Sequence, residues 1–233
     1  MAIDISSYYF INSPLTDLPD SEGRKLLDAA IEKKYDRGDM LFRKNQFPKG
    51  IFIVRKGRVK IYQRMSTGAD QALNIHVPGE IIGYRPLLCD ERYPVNGYAI
   101  EPCIAWFVPA KSFFELLNTS IALSNLLLRY LSHEFTVWVN TISMMSHRTV
   151  KERLLLNLLI LHAKYQEGSR SPVRITLSKT DIANLIGTSQ ETLARVLQNL
   201  KSNNCITAKG RAIEISTQQR RKIQAEVELF LQA

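Results

Sequence analysis

From Ile121 to Met145 the apolar residues keep step with a helix. Ile121, Ser124, Leu128, Leu131, Phe135, Trp138, Ile142 and Met145 recur at alternating spacings of three and four, and only Ser124 interrupts the apolar run. A seam sustained over about four heptads predicts one long helix that pairs, in coiled-coil fashion, with its twin in a second copy. Leu126, Leu127, Tyr130 and Val137 supply a second apolar face, which predicts that the helix also packs on its own subunit.

Ahead of this helix the rhythm is shorter. Between Tyr35 and Pro109, brief apolar stretches alternate with Arg37-Gly38-Asp39, Lys56-Gly57-Arg58, Thr67-Gly68-Ala69, Val77-Pro78-Gly79 and Glu101-Pro102. Short strands at such spacing predict a sandwich or jelly-roll barrel. The plainest piece runs from Ile51 to Tyr62 as two strands around a Lys-Gly turn, the second alternating apolar Val59 and Ile61 with basic Arg58 and Lys60. A helix beginning near Pro19-Asp20-Ser21 precedes the strands, with Leu26, Leu27, Ala30 and Ile31 on one face.

Past the long helix, a hinge is expected at Met145 to Thr149, where the seam ends and polar residues gather. An amphipathic helix then spans Val150 to Tyr165, turning Leu154, Leu155, Leu158 and Leu159 inward, and Glu167 to Pro172 closes it as a loop. The stretch from Thr176 to Asn203 reads as two helices meeting at Gly187. Ser178 caps the first, with Asp181 in the capping-box position and Ile182, Ala183, Leu185 and Ile186 as its apolar face. The second starts at Thr188 or Ser189 with Glu191 as reciprocal cap partner and buries Leu193, Val196, Leu197 and Leu200. Cys205 to Ala208, a Lys209-Gly210-Arg211 tip and Ala212 to Ile215 add a short hairpin, completing a winged helix-turn-helix. From Thr217 a last helix is expected to pack on this domain through Val227, Leu229, Phe230 and Leu231, with Arg220, Arg221 and Lys222 forming either a backbone contact or a solvated face. The expected architecture is α+β in three parts: residues 1–110 as a β-barrel with an N-terminal helix, 111–146 as the long dimerisation helix and hinge, and 147–233 as the winged helix-turn-helix.

Charge sharpens this picture. The formal net charge of the 233 residues is +9. From His147 onward there are 14 Lys and Arg against 7 Asp and Glu, while residues 1–146 hold 17 against 15. The basic excess therefore travels with the helix-turn-helix, as an electrostatic footprint for a phosphate backbone should. The polar residues left over at the start of the second helix, Gln190, Glu191, Thr192 and Arg195, are of the types that read base edges in a major groove. Glu191 and Arg195 stand four apart on one face, where each can steer the other. Lys179, Thr180 and the backbone at Ser178 would seat the first helix on phosphate.

The run Ser189-Gln190-Glu191-Thr192-Leu193-Ala194-Arg195, followed by the wing, resembles the recognition helix of the cyclic AMP receptor protein/FNR (Crp/Fnr) family of bacterial transcription regulators. The resemblance implies that Glu191 and Arg195 read bases, that Thr192 and Ser189 reach phosphates, and that the wing tip, with Lys209 and Arg211, touches the backbone. Gln190 departs from the arginine of the cyclic AMP receptor protein, which leaves the operator sequence open. Residues 35–110 are similar to the family's cyclic-nucleotide-binding fold, with Gly38-Asp39, Gly57 and the Val77-to-Gly83 run falling at its turns and ligand cassette. In nucleotide-binding relatives the cassette glutamate meets the ribose and an arginine about ten residues later clasps the phosphate, a pairing suited to an anion. Glu80 matches the first role and Arg92 the second, but Tyr93-Pro94 follows, and proline has no N–H to donate and restricts the backbone around it. A cyclic nucleotide is therefore disfavoured. Another small effector, of unknown identity, is expected against Gly79, Glu80, Ile82, Tyr84, Arg85, Arg92 and Tyr93. The resemblance also makes the long helix a dimer axis, with Ile121, Leu128, Leu131, Phe135, Trp138 and Ile142 at the interface, and implies RNA polymerase as a partner if the protein activates transcription.

Other classes find little footing. Cys89, Cys103 and Cys205 stand singly, without the spacing of a zinc site or the N-terminal cluster that holds an iron–sulfur centre in the family's oxygen sensors. His76 and His133 are isolated in sequence and give no support to haem. No nucleophile elbow, Walker loop or paired-carboxylate motif marks an enzyme. No apolar run reaches the roughly 18 residues of a membrane span, and a cytoplasmic protein is expected. The competing reading is a ligand sensor whose winged helix binds a protein partner instead of double-stranded DNA.

Overall fold

The computed structural model describes residues 18–64, 70–210 and 212–232. The Thr67-Gly68-Ala69 turn, the wing-tip Arg211 and the lead-in before Leu18 lie outside the described residues. The chain forms two compact units whose boundary falls between Glu134 and Phe135, inside the long helix.

In the first unit, α1 (Asp20–Asp28) starts after Pro19, whose carbonyl accepts from the backbone N–H of Glu22 and Gly23 at 2.9 and 3.0 Å. Leu26 is its buried residue, but Ile31, expected on the same helical face, begins β1 (Ile31–Tyr35) and is 54% exposed. The helix ends at Asp28, three residues short of Ile31, because Ala29 and Ala30 turn the chain into the sheet. There follow β2 (Met40–Phe42), β3 (Gly50–Lys56), β4 (Val59–Arg64), β5 (Asp70–His76), β6 (Ile81–Ile82), α2 (Tyr84–Leu88), β7 (Asn96–Ala99), β8 (Cys103–Pro109) and α3 (Ala110–Thr119). Two antiparallel four-stranded sheets result, ordered β1-β8-β3-β6 and β2-β7-β4-β5. Among the described residues no strand pairing joins the two, so the body is a sandwich, where a closed barrel was one expectation.

The strands flanking the Lys-Gly turn do not pair with each other. β3 lies between β8 and β6, while β4 lies between β7 and β5 in the other sheet. Gly57 makes the crossing: its φ is +79°, and a Cβ there would stand 2.5 Å from the Pro102 carbonyl oxygen, so the chain passes too close to the β7–β8 connection for a side chain. The pattern of β3 follows from its position. Phe52 and Val54 face the inter-sheet core with Phe42, Val59, Ile61 and Ala105, whereas Ile51 and Ile53 face a second core under α1, α2, α3 and the long helix with Leu26, Phe113, Leu123 and Leu126. A strand covered on both faces reads as a continuous apolar run, as Ile51-Phe52-Ile53-Val54 does. Lys60, expected on an outward alternation, is buried, with its ammonium 4.8 Å from the Tyr98 ring centroid.

α4 (Ile121–His147) is 27 residues long, about 40 Å of helix. Ile121, Leu128, Phe135 and Ile142, spaced by seven, are 80%, 62%, 72% and 63% exposed, and Trp138 beside them is 42% exposed. Leu123, Leu126 and Leu127 point the other way and are buried. Leu131, expected in the seam, is half-buried against the core under the helices.

In the second unit, α5 (Val150–Tyr165) starts with a capping box in which Thr149 and Glu152 satisfy each other's backbone N–H. β9 (Val173–Ile175), α6 (Lys179–Leu185), α7 (Gln190–Ser202), β10 (Thr207–Lys209), β11 (Ala212–Ile215) and α8 (Thr217–Gln232) complete it. The wing is a three-stranded sheet ordered β10-β11-β9; β9, which falls between the expected loop at Glu167 to Pro172 and the stretch from Thr176, pairs Ile175 with Ile213. α8 packs along α5, burying Ile223 and Val227, while Leu229 remains 72% exposed.

Candidate nucleic-acid interface and effector region

The turn between α6 and α7 is set by backbone chemistry. Gly187 has φ +62°, its N–H reaches the carbonyl of Asn184, and the N–H of Thr188 reaches that of Ala183 at 3.0 Å. This left-handed C-terminal closure is one glycine makes without strain. Ser178 caps α6 by accepting from the N–H of Asp181 at 3.0 Å and donates its own hydroxyl to the Asp181 carboxylate at 2.7 Å. Ser189 caps α7 by accepting from the N–H of Thr192 at 3.1 Å, and its hydroxyl also lies 3.1 Å from that of Thr192. Thr192, not Glu191, thus takes the cap-partner position, because a cap at Ser189 puts its third helical residue at Thr192 and leaves Glu191 free to face outward.

α7 divides cleanly along its length. Leu193, Leu197 and Leu200 are buried, whereas Gln190, Glu191, Ala194, Arg195 and Gln198 are exposed and Thr192 is half-buried. Ser178, Lys179 and Thr180 are exposed at the start of α6, and Lys209 is exposed on β10 beside Gly210. An exposed fork of donors (Arg195), an amide (Gln190) and a carboxylate (Glu191) opening a helix, flanked by lysines, is the chemistry of groove readout over phosphate. Lys222, on α8, is engaged internally, donating to the Asn203 carbonyl at 2.7 Å.

The candidate effector residues part company. Glu80 is 2% exposed and its Oε2 lies 2.7 Å from Nδ1 of His76, across the Val77-Pro78-Gly79 turn. Tyr84 is buried with its ring 6.1 Å from that of Tyr130, and Arg85 Nε lies 3.3 Å from Glu134 Oε2. Burial, reinforced by the Glu134 carboxylate, pushes the Tyr84 phenol well above its ordinary range, and burial with Glu80 and Glu134 does the same to Tyr130. Both carboxylates therefore share one buried polar neighbourhood with two neutral phenols. Arg92 is turned elsewhere: its guanidinium donates to the Asn45 carbonyl at 2.8 Å and lies over the Phe47 ring at 4.2 Å. Tyr93 is buried and stacks on Phe42 at 4.1 Å. Gly79 and Ile82 are backbone and core elements of the cassette, Gly79 donating to the Val54 carbonyl at 2.7 Å. His76, Tyr130 and Glu134 were not read as site residues. A histidine four residues before a glutamate across a strand turn matches no helical pair rule, and Tyr130 was counted as an apolar packing residue.

A winged helix-turn-helix with an exposed polar reading face, joined through a long helix to a two-sheet sandwich, defines a DNA-binding regulator of transcription. The family described as cyclic nucleotide-binding domain matches residues 32–120, and the Crp-like helix-turn-helix domain matches residues 152–220. The transcriptional activator protein anr of Pseudomonas aeruginosa is 28% identical over 181 residues, covering 77% of this chain and 74% of that protein. The fumarate and nitrate reduction regulatory protein of Vibrio cholerae is 26% identical over 193 residues, covering 81% and 77%. In fold, the chain is similar to FixK2 from Bradyrhizobium japonicum, with a TM-score of 0.71 at 19% identity over 84% of this chain and 96% of that one. It is likewise similar to a putative cAMP-binding regulatory protein from Silicibacter pomeroyi, with a TM-score of 0.65 at 25% identity over 91% and 93%. The chain thus carries a cyclic nucleotide-binding-type domain followed by a Crp-like helix-turn-helix domain, and the curated proteins it resembles are transcriptional regulators of the Crp/Fnr type.

The match over residues 32–120 implies a cyclic nucleotide, and the side chains do not fit one. The glutamate that would take the ribose is buried against His76, the arginine that would take the phosphate is held by Asn45 and Phe47, and Pro94 removes an amide donor from the cradle. Of the cysteines, Cys89 is exposed while Cys103 and Cys205 are buried in different units, and burial raises the thiols of both buried ones. Among the described residues no cluster of three or more His, Cys, Asp or Glu side chains is placed to hold a metal, and no helix is long and apolar enough to cross a membrane.

Proposed function

We propose that this regulator acts as a cytoplasmic homodimer on an inverted-repeat operator, organised as a sensing sandwich (1–110), a pairing helix with hinge (111–146) and a DNA-binding domain (147–233). The observation that carries the reading is the division of α7, where Leu193, Leu197 and Leu200 are buried, Val196 is half-buried, and Gln190, Glu191 and Arg195 are left together at the exposed end. In this reading Glu191, Arg195 and Gln190 contact base edges. Ser178, Lys179, Thr180, Ser189, Thr192, Lys209 and Arg211 contact phosphates. Two copies joined along Ile121, Leu128, Phe135, Trp138 and Ile142, with Leu131 at the margin, present their recognition helices to successive major grooves about 34 Å apart. A small effector against Glu80, Tyr84 and Arg85, neither a cyclic nucleotide nor an iron–sulfur cluster, would act by shifting how the long helices pair. RNA polymerase is the further partner if the protein activates.

The experiment is selection of genomic fragments by the purified protein, with and without cell extract, alongside sedimentation. Enrichment of a palindromic motif by a dimer supports the proposal. A monomer that retains no duplex at low salt refutes it.

A further inference from the structure

One arginine ties the end of the long helix to the turn of the helix-turn-helix. Arg153 is the fourth residue of α5, and helical side chains lean toward the N-terminus, so it reaches back over its own first turn. Its Nη1 donates to the carbonyl of Met145, in the last turn of α4, at 3.3 Å and to that of Arg148, in the two-residue link, at 3.1 Å. Its Nη2 donates to the carbonyl of Gly187, two residues before the cap of α7, at 3.3 Å. The Met145 carbonyl is one of those a helix end leaves without an intrahelical donor, and the guanidinium fork meets all three acceptors from one rigid plane. A second contact lies beside it: the Met145 thioether stands 3.5 Å from where a Cβ on Gly187 would be, so it packs on the turn itself. The link is braced from the other side as well, with the Arg148 guanidinium 5.5 Å from the Phe230 ring centroid and Lys151 paired with Glu226 at 2.8 Å. The contacts fall on Met145 and Arg148, within the stretch where a hinge is expected.

We infer that Arg153 is a positioning residue for DNA recognition, fixing the direction of α7 relative to the last turn of α4 and so setting which half-site spacing the dimer accepts. The inference rests on the homodimer and inverted-repeat reading above. Arg153 needs no contact with DNA to act this way.

The test uses the full-length protein and three duplexes carrying the selected motif: its native spacing, the same half-sites moved by one base pair, and one half-site scrambled. For Arg153→Gln the expected result is roughly a tenfold loss on the native spacing, under about twofold on the single half-site, and loss of most discrimination between the two spacings, with an unchanged salt slope. Arg153→Lys, which keeps the charge but not the fork, should behave as the glutamine variant does. Met145→Ala loosens the same joint without touching the arginine, and should relax spacing in the same direction, which keeps the test decisive if the Arg153 variants melt early. Equal losses on all three duplexes, a shallower salt slope, or a lysine variant indistinguishable from wild type would overturn the inference. Wild-type protein indifferent to spacing would instead overturn the dimer reading, and this inference with it.

Discussion

Nδ1 of His76 lies 2.7 Å from Oε2 of Glu80, and the carboxylate that the cassette would offer to a ribose is spent inside the protein. Truncating the partner of a buried carboxylate leaves that group uncompensated and costs about 1–3 kcal/mol. His76→Ala should therefore lower the unfolding free energy from urea melts by that amount, moving the midpoint down with an unchanged m-value. In the same assay, millimolar cyclic AMP should leave the wild-type midpoint where it is. A midpoint that climbs with cyclic AMP concentration would mean that the pair opens for the ligand.

Arg195 and Lys209 should fail in different ways. Arg195→Ala is expected to cost about 1–3 kcal/mol and relax preference at one base pair of each half-site, while Lys209→Ala weakens all sequences alike and reduces the salt slope by about 1. Competition binding against single-substitution operators, repeated across salt concentrations, separates the two.

A charge at the centre of the exposed stripe should prevent pairing. Phe135 is 72% exposed in a single chain, and burying such a side chain is worth about 1.5–3 kcal/mol per copy. Phe135→Glu should sediment as a monomer at micromolar concentration and lose affinity for the two-half-site operator by at least tenfold, with the thermal midpoint of the sandwich little changed.

His162 makes the DNA-binding unit sensitive to acid. Burial, with Arg220 adding repulsion, holds its imidazole down to about 4 from an ordinary 6.5. The unfolded chain thus takes up a proton in a range where the folded chain does not, so stability is full above about pH 6.5 and falls as the pH drops toward 4. The loss approaches about 3 kcal/mol at the bottom of that window. Urea midpoints measured between pH 7.5 and roughly 4.5 should show the decline, and His162→Gln should remove that part of it.

What could be read from the chain followed from local chemistry. α5 came out at Val150–Tyr165 because polar residues gather before it and its leucines mark its inner face, although the Thr149–Glu152 capping box that fixes its start was not read. The helix-turn-helix was legible for the same reason, with serine caps on both sides of a glycine. Failures came where partners are distant. β9 has three residues, too few to show a period, and exists because β11 lies beside it. The strands around Gly57 looked like neighbours, yet their hydrogen bonds go to β8 and β6 on one side and to β7 and β5 on the other. Arg92 stood at the right sequence interval for a phosphate, but interval says nothing of the Asn45 carbonyl and Phe47 ring that claim it. Arg153 gave no signal at all, since its three acceptors are backbone oxygens, which every residue carries.

The row of Ile121, Leu128, Phe135 and Ile142 along α4 bears on how a cell would use this regulator. A solitary copy shows water a greasy flank, so association is a second-order event and the supply of competent molecules grows with the square of the amount synthesised while copies are scarce. Promoter occupancy should then answer a modest rise in expression with a disproportionate one, giving a threshold in dosage even before any small molecule is sensed.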